Sequence, residues 1–274
     1  MRLLSFVLIS LLLSACSRQP YRIDSGHHYI QKEGRESRPW KLVWSDEFEG
    51  SELDTSKWSR TPEGSSDWNR HMSALEPDCY NLHDGKLELI GIRNNDTIKD
   101  PRPFLTGGVW TKDKFAWQYG RVEIRVKLES SQGAWPALWM LPQTRKYGNY
   151  PRGGEIDIME HLNYEDSIYQ TVHSYYTLEL KEKKNPPNYG MARIDRNAYN
   201  VYALECYPNK LVFQVNGFTT FTYPRLPTVD PSQWPFDQPF YLIVDQQLGG
   251  AWVGQVDLQQ LPVKMYVDWV RVYQ

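Results

Sequence analysis

The stretch Gly120 to Glu129, GRVEIRVKLE, alternates without a break. Val122, Ile124, Val126 and Leu128 fall on one side; Arg121, Glu123, Arg125 and Lys127 fall on the other. A period of two belongs to an extended strand with one apolar and one solvated face. A helix cannot satisfy it, because a helix gathers positions three and four apart. The segments GKLELIGI, KLVFQVNGFTTFTY and KMYVDWVRVY read the same way. Asn216-Gly217, between Val215 and Phe218, signals a two-residue hairpin whose turn needs positive φ at both positions. Long helical periodicity is missing; Ala198 to Ala203 is expected to give one short turn at most. Many short strands punctuated by Gly, Pro and Asn predict an all-β chain, an antiparallel β-sandwich built as one domain over residues 39–274.

The formal net charge of −2 gives no reason to expect a nucleic-acid partner. The 11 Trp and 18 Tyr can fill a core, and flat rings also suit a binder of sugars, whose pyranose faces are apolar. The first residues have a different purpose. Arg2 precedes a short apolar run, Leu3 to Leu13, too short for a membrane span. Leu13-Ser14-Ala15-Cys16 follows and resembles a bacterial lipobox. That resemblance implies a signal peptide over 1–15, cleavage before Cys16 and lipidation of Cys16, with residues 16–38 as a polar tether. An ordinary secretion signal with an incidental Cys is the alternative; both take the protein out of the cytoplasm. The lipidated form places it in the cell envelope, held at the outer membrane or cell surface. Cys79 and Cys206 then remain, either as a bridge or as two buried thiols.

The segment PRGGEIDIMEH, residues 151–161, sets three carboxylates among apolar residues. Regular alternation would put Glu155 and Asp157 on one face and send Glu160 into the hydrophobic layer with Ile156 and Ile158. An unpaired buried carboxylate is costly there. One extra residue, a β-bulge between Asp157 and Glu160, returns Glu160 to the face of the other two acids. Five residues along such a strand separate Cα atoms by roughly 13 Å at about 3.3 Å per residue. Two Glu side chains leaning together would close to about 5–6 Å, the separation of a retaining glycosidase. Asp157 between them would favour the protonated form of a neighbouring Glu. A calcium site and a solvated acidic strand are the alternatives; the EF-hand spacing is absent.

The same stretch closely resembles the active-site strand of glycoside hydrolase family 16, Glu-x-Asp-x-(x)-Glu, in its longer form Glu155-Ile156-Asp157-Ile158-Met159-Glu160. WSDEF (44–48), YGRVEIRVKL (119–128), GAWPALWML (133–141), TVHS (171–174), QLGGAWVG (247–254) and VDWVRVYQ (267–274) resemble the family in the same order. The resemblance implies a jelly roll with a long concave cleft and endo-acting hydrolysis with retention. Glu155 would be the nucleophile, Glu160 the acid/base, and Asp157 a helper beside the nucleophile. It also implies sugar contacts from Trp135 and Trp139, which share a strand face with the small Ala137, and from His173, Trp110, Trp252 and Gln247. No cofactor is required. A structural calcium held by Asp268 is implied by analogy, and the protein is expected to act as a monomer.

The departures bear on the sugar. Val109 stands where laminarin-cleaving members usually carry Arg, and Asp245 and Gln247 replace the usual Asn and Ala. The expected substrate is a β-1,3- or mixed-linkage β-1,3/1,4-glucan. An endo-β-galactosidase acting on keratan-like or mucin-type glycans is the alternative. A surface lipoprotein that only binds glycans is a further one, which would leave three acids at this spacing unexplained.

Overall fold

The computed structural model describes residues 40–274. The expected signal peptide, the lipidated Cys16 and the tether lie outside the described residues. Within them the strands are β1 (Leu42–Asp46), β2 (Ser59–Arg60), β3 (Tyr80–His83), β4 (Lys86–Arg93), β5 (Phe104–Thr106), β6 (Gly108–Trp110), β7 (Gly120–Leu128) and β8 (Ala134–Pro142). There follow β9 (Glu155–His161), β10 (Ser167–His173), the single-turn helix α1 (Tyr175–Leu178), β11 (Tyr189–Arg193) and β12 (Asn200–Tyr207). The hairpin β13 (Lys210–Val215) and β14 (Phe218–Pro224), then β15 (Phe240–Leu248) and β16 (Val263–Tyr273), complete the chain.

All the strand pairs are antiparallel, and they form two sheets. One runs β14-β13-β12-β7-β16-β4-β3, with β1 on β16 and β5 on β4. The other runs β11-β10-β9-β8-β15-β6-β2. Between them lies one large core to which β7 gives Val122, Ile124, Val126 and Leu128, while β8 gives Leu138 and Met140. Each such side chain contributes about 1.5–3 kcal/mol when fully buried. The opposite face of the seven-stranded sheet carries a separate cluster, Ala137, Trp139, Tyr241 and Ile243. That second face is where the acids stand. At the tip of the β13–β14 hairpin Asn216 and Gly217 take φ of 50° and 82°, as the two-residue turn requires.

Two local expectations are corrected. The charged face of β7 is not uniformly solvated, since Arg121 is 5% and Glu123 7% exposed. β7 sits between β12 and β16 in the sheet interior, where Arg121 donates to Glu123 (2.6 Å), Glu205 (2.7 Å) and Gln214 (2.8 Å). The short turn expected at Ala198 to Ala203 is mostly strand: only Ala198 closes a turn, on Asp195, and β12 begins at Asn200. Cys79 and Cys206 are both free. Cys79 ends the turn before β3, and Cys206 is on β12, four strand positions away. That is about 19 Å at about 4.8 Å per strand, far beyond disulfide reach.

Candidate active site

β9 is delivered by a glycine that nothing else replaces. Gly154 has φ +84°, and a Cβ there would lie 2.7 Å from Pro235 and 2.9 Å from Phe236. Along β9 the register slips by one. Ala137 faces Glu160 and Leu138 faces Met159, but Trp139 faces Asp157, leaving Ile158 as the extra residue. β10 shows the same slip, with Tyr169 opposite Glu160 and Thr171 opposite Asp157. The bulge is pinned from the core side: Gln170, fully buried, donates its amide to the Ile158 carbonyl (3.2 Å) and accepts from Thr220 (2.6 Å). Ile156, Ile158 and Met159 all enter the core. Glu155, Asp157 and Glu160 emerge together in one cleft of about 590 Å³.

Among the described residues no Lys or Arg pairs with these acids. Burial and the neighbouring Glu160 push Glu155 up to about 8. Burial, with Glu160, Glu155 and Asp245 around it, lifts Asp157 well above the carboxylate range. Burial takes Glu160 to about 7, opposed by the indole N–H of Trp135, which donates to its Oε1 at 3.0 Å. Protons are therefore shared across the cluster rather than owned by one residue. His173 completes it, with Nε2 at 3.7 Å from Glu155 and 3.4 Å from Asp157. Burial, helped by Lys183, pushes that imidazole down to about 4, which keeps it neutral at ordinary pH.

Trp135 and Trp139 both line the cleft, with Gln247. Trp139 is only 5% exposed; it meets Trp68 edge-on at 4.8 Å and donates to Asp245 (3.2 Å). Gln247 also donates to Asp245 (3.0 Å), and its own Oε1 is buried without a partner. Trp252 is 47% exposed and stands edge-on to Trp135 at 5.6 Å. Trp110 lies on the same face two strands from β8, against Tyr241 (6.2 Å), outside the walls of the acid cleft. His161 is fully buried and bonds the Glu165 carbonyl (2.7 Å), a structural position.

Asp245 is the residue that sequence reasoning passed over as a site member. It is fully buried on β15, opposite Ala137, and burial drives it up to about 8. Its signal was present in VDQQLGG, where Asp245 and Gln247 share a strand face. Trp68 and Tyr150, which also line the cleft, come from loops and carry no such periodic signal.

Among the described residues Glu155, Asp157 and His173 bring ligand atoms within 4.8 Å of one another, close enough for a cation. The Asp268 carboxylate, expected as a calcium ligand, pairs with the Arg125 guanidinium at a slip in the β16–β7 register; among the described residues no group of three side-chain ligands includes it.

The profile described as β-porphyranase A–D, GH16 domain, matches residues 40–274. The chain is 38% identical over 236 residues to the keratan-sulfate endo-1,4-β-galactosidase of Sphingobacterium multivorum, covering 85% of this chain but 55% of that protein. It therefore spans about half the length of that relative. It is also 38% identical over 247 residues to the β-glucanase of Rhodothermus marinus, covering 85% of each. The laminarinase structure from Rhodothermus marinus superposes with a TM-score of 0.78 at 34% identity, over 86% of this chain and 97% of that one. With the bulged acidic strand, the two-sheet jelly roll and a domain match from residue 40 to the last, this chain is a member of glycoside hydrolase family 16, a glycosidase.

Proposed function

We propose that the protein is a retaining endo-β-glycosidase in which Glu155 is the nucleophile, Glu160 the acid/base and Asp157 the proton holder beside the nucleophile. The supporting observation is the Ile158 bulge, which sets two glutamates and an aspartate on one cleft wall without any neutralising cation. Glycosylation needs Glu155 charged and Glu160 protonated. Asp157, whose burial among Glu160, Glu155 and Asp245 favours its protonated form, supplies a donor that steadies the Glu155 charge. Glu155 attacks the anomeric carbon as the glycosidic oxygen departs with the Glu160 proton, forming a glycosyl ester. Glu160, now a carboxylate, takes a proton from water. The resulting hydroxide equivalent attacks the same carbon and frees Glu155. Two inversions give net retention. These steps use side chains alone.

The first reading of the substrate is a β-1,3- or mixed-linkage β-glucan, in line with the β-glucanase and laminarinase relatives. A β-galactoside is the second reading. It is favoured by Gln247, which lines the cleft and donates to the buried Asp245, by the porphyranase profile and by the keratan-sulfate-cleaving relative. A glycan panel scored for new reducing ends separates the two, and failure on every glycan returns the chain to the binding-only reading. Azide tests the roles. Glu160→Ala with azide and an activated aryl glycoside should yield a β-glycosyl azide, and Glu155→Ala the α-azide; reversed products would exchange the two assignments. We also propose export and lipid anchoring through Cys16, which rests on Leu13 to Cys16 alone. Loss of membrane association in Cys16→Ser is the outcome to measure.

A further inference from the structure

β10 alternates regularly. Tyr169, Thr171 and His173 pair with Glu160, Asp157 and Glu155 and share their face. Ile168, Gln170 and Val172 point the other way and are fully buried. Gln170 is thus a polar side chain at a core position between two apolar ones. Burying an amide there is costly unless its polar atoms are met. It stands opposite the bulge: Tyr169 and Thr171 on either side of it pair with Glu160 and Asp157, and Ile158 and Met159 share the space across from it. A bulge leaves its extra residue outside the ladder. The Ile158 carbonyl, at a fully buried residue, therefore needs a donor from elsewhere. The Gln170 amide supplies one, at 3.2 Å.

The other end of that amide reaches the second sheet. Its Oε1 accepts from the Thr220 hydroxyl at 2.6 Å. Thr220 is itself an extra residue: Phe213 pairs with Phe221 and Gln214 with Thr219, which leaves Thr220 between them in β14. One side chain ties a bulge in β9 to a bulge in β14 across the sandwich. We infer that Gln170 is a positioning residue for the glycosidase reaction: anchored on Thr220, it holds the Ile158 carbonyl and so keeps Glu160 on the face of Glu155 and in contact with Trp135. It acts through the strand, from the core side. Without its donor, β9 at unchanged length is relieved by drawing the bulge flat, which turns Glu160 toward the core. A partial turn is enough, because proton delivery depends on placement to about an ångström. Glu155 and Asp157 precede the bulge and keep their places. The loss therefore falls on the acid/base rather than on the nucleophile. In its kinetic consequences the inference rests on the hydrolase reading; in its structural one it stands alone.

Gln170→Leu keeps the volume and removes both hydrogen bonds. Its crystal structure should show a changed β9–β10 register at Ile158 and the Glu160–Trp135 contact broken. On β-1,3-glucan or keratan-type glycan, whichever the parent cleaves, kcat/KM per folded molecule should fall about a hundredfold. On an activated aryl glycoside, whose leaving group needs little protonation, it should fall roughly threefold or less. Gln170→Glu is the conservative variant. A carboxyl buried there keeps its proton, so it can donate to the Ile158 carbonyl while accepting from Thr220, and most of the rate should return. Thr220→Val, on the other sheet, removes one of the two anchors and should show the same split between substrates with a loss of roughly threefold on the glycan. It decides the matter should Gln170→Leu not fold. An unchanged register with Glu160 still on Trp135, or equal losses on the two kinds of substrate, would overturn the inference. Absence of turnover by the unsubstituted protein would count against the hydrolase reading alone, since the Gln170→Leu structure still decides whether Gln170 sets the phase of β9.

Discussion

Two clusters of carboxylates, one in each sheet, differ in a single partner. Glu123 and Glu205 on the larger sheet close on Arg121, which donates to both and to Gln214. Among the described residues, Glu155, Asp157 and Glu160 on the smaller sheet meet one another, the nearby Asp245, an indole N–H and a neutral imidazole. The guanidinium turns the first group into a fixed ionic knot, charged and static. Without it, the second holds protons it can give away. Carboxylate burial is therefore a structural device in one place and a chemical one in the other, and the presence or absence of one cation decides which.

The largest expected effect falls on the second group. Glu155→Gln should reduce turnover about 10⁴-fold while oligosaccharide affinity stays measurable. A variant retaining a tenth of the rate would exclude Glu155 as the nucleophile. The mirror experiment is Arg121→Ala, which takes the cation away from two buried carboxylates and should cost about 3–5 kcal/mol of stability. Denaturant unfolding would measure that loss, with kcat per folded molecule unchanged. If Arg121→Ala lowered kcat instead, the two groups would not be separate in role.

A third outcome concerns pH. The ordinary Glu value is 4.5, and folding raises Glu155 to about 8 and Glu160 to about 7. Between those values the folded chain holds protons that the unfolded chain has released. The associated stability is complete below about pH 4.5 and is lost as pH rises through 7 to 8. Glu155→Gln and Glu160→Gln should each melt higher than the parent at pH 8, by about 2–4 °C for every kcal/mol recovered, with little difference at pH 4.5. Equal shifts at both pH values would contradict shared protonation. The bell of kcat/KM should report the coupled pair, its acid limb near 7 and its alkaline limb near 8, because Glu155 must be charged while Glu160 is protonated. The smallest effect is on selectivity. Gln247→Met keeps volume but removes the orphaned acceptor beside Asp245, and should change the ratio of rates on glucosides and galactosides by up to roughly tenfold. An unchanged ratio would leave Gln247 as floor only.

Strand periodicity made much of this legible. The alternation in β7, the Asn216-Gly217 turn and the need for a bulge before Glu160 are all local, and each follows from side-chain direction within one segment. What was not legible depends on neighbours far along the chain. Arg121 and Glu123 look like a solvated face until β12 brings Glu205 beside them. Asp268 reads as a free acid until Arg125 takes it. Asp245 reads as a departure from a family pattern until Trp139 and Gln247 converge on it.

The extra residue in β9 carries one more consequence. The chemistry there is encoded by a count as much as by a set of letters. Most substitutions at Ile158 that preserve its size and greasiness should leave the acids where they are. Deleting it would leave Glu155-Ile156-Asp157-Met159-Glu160, a strict alternation that keeps all three acids on the cleft face without a bulge, while the Gln170 amide would lose the Ile158 carbonyl it now holds. What the strand must preserve is the phase of the acids, whichever residues stand between them. Flattening the bulge at unchanged length would send Glu160 into the core, whereas losing the bulged residue itself would leave a shorter strand with its acids still in the cleft.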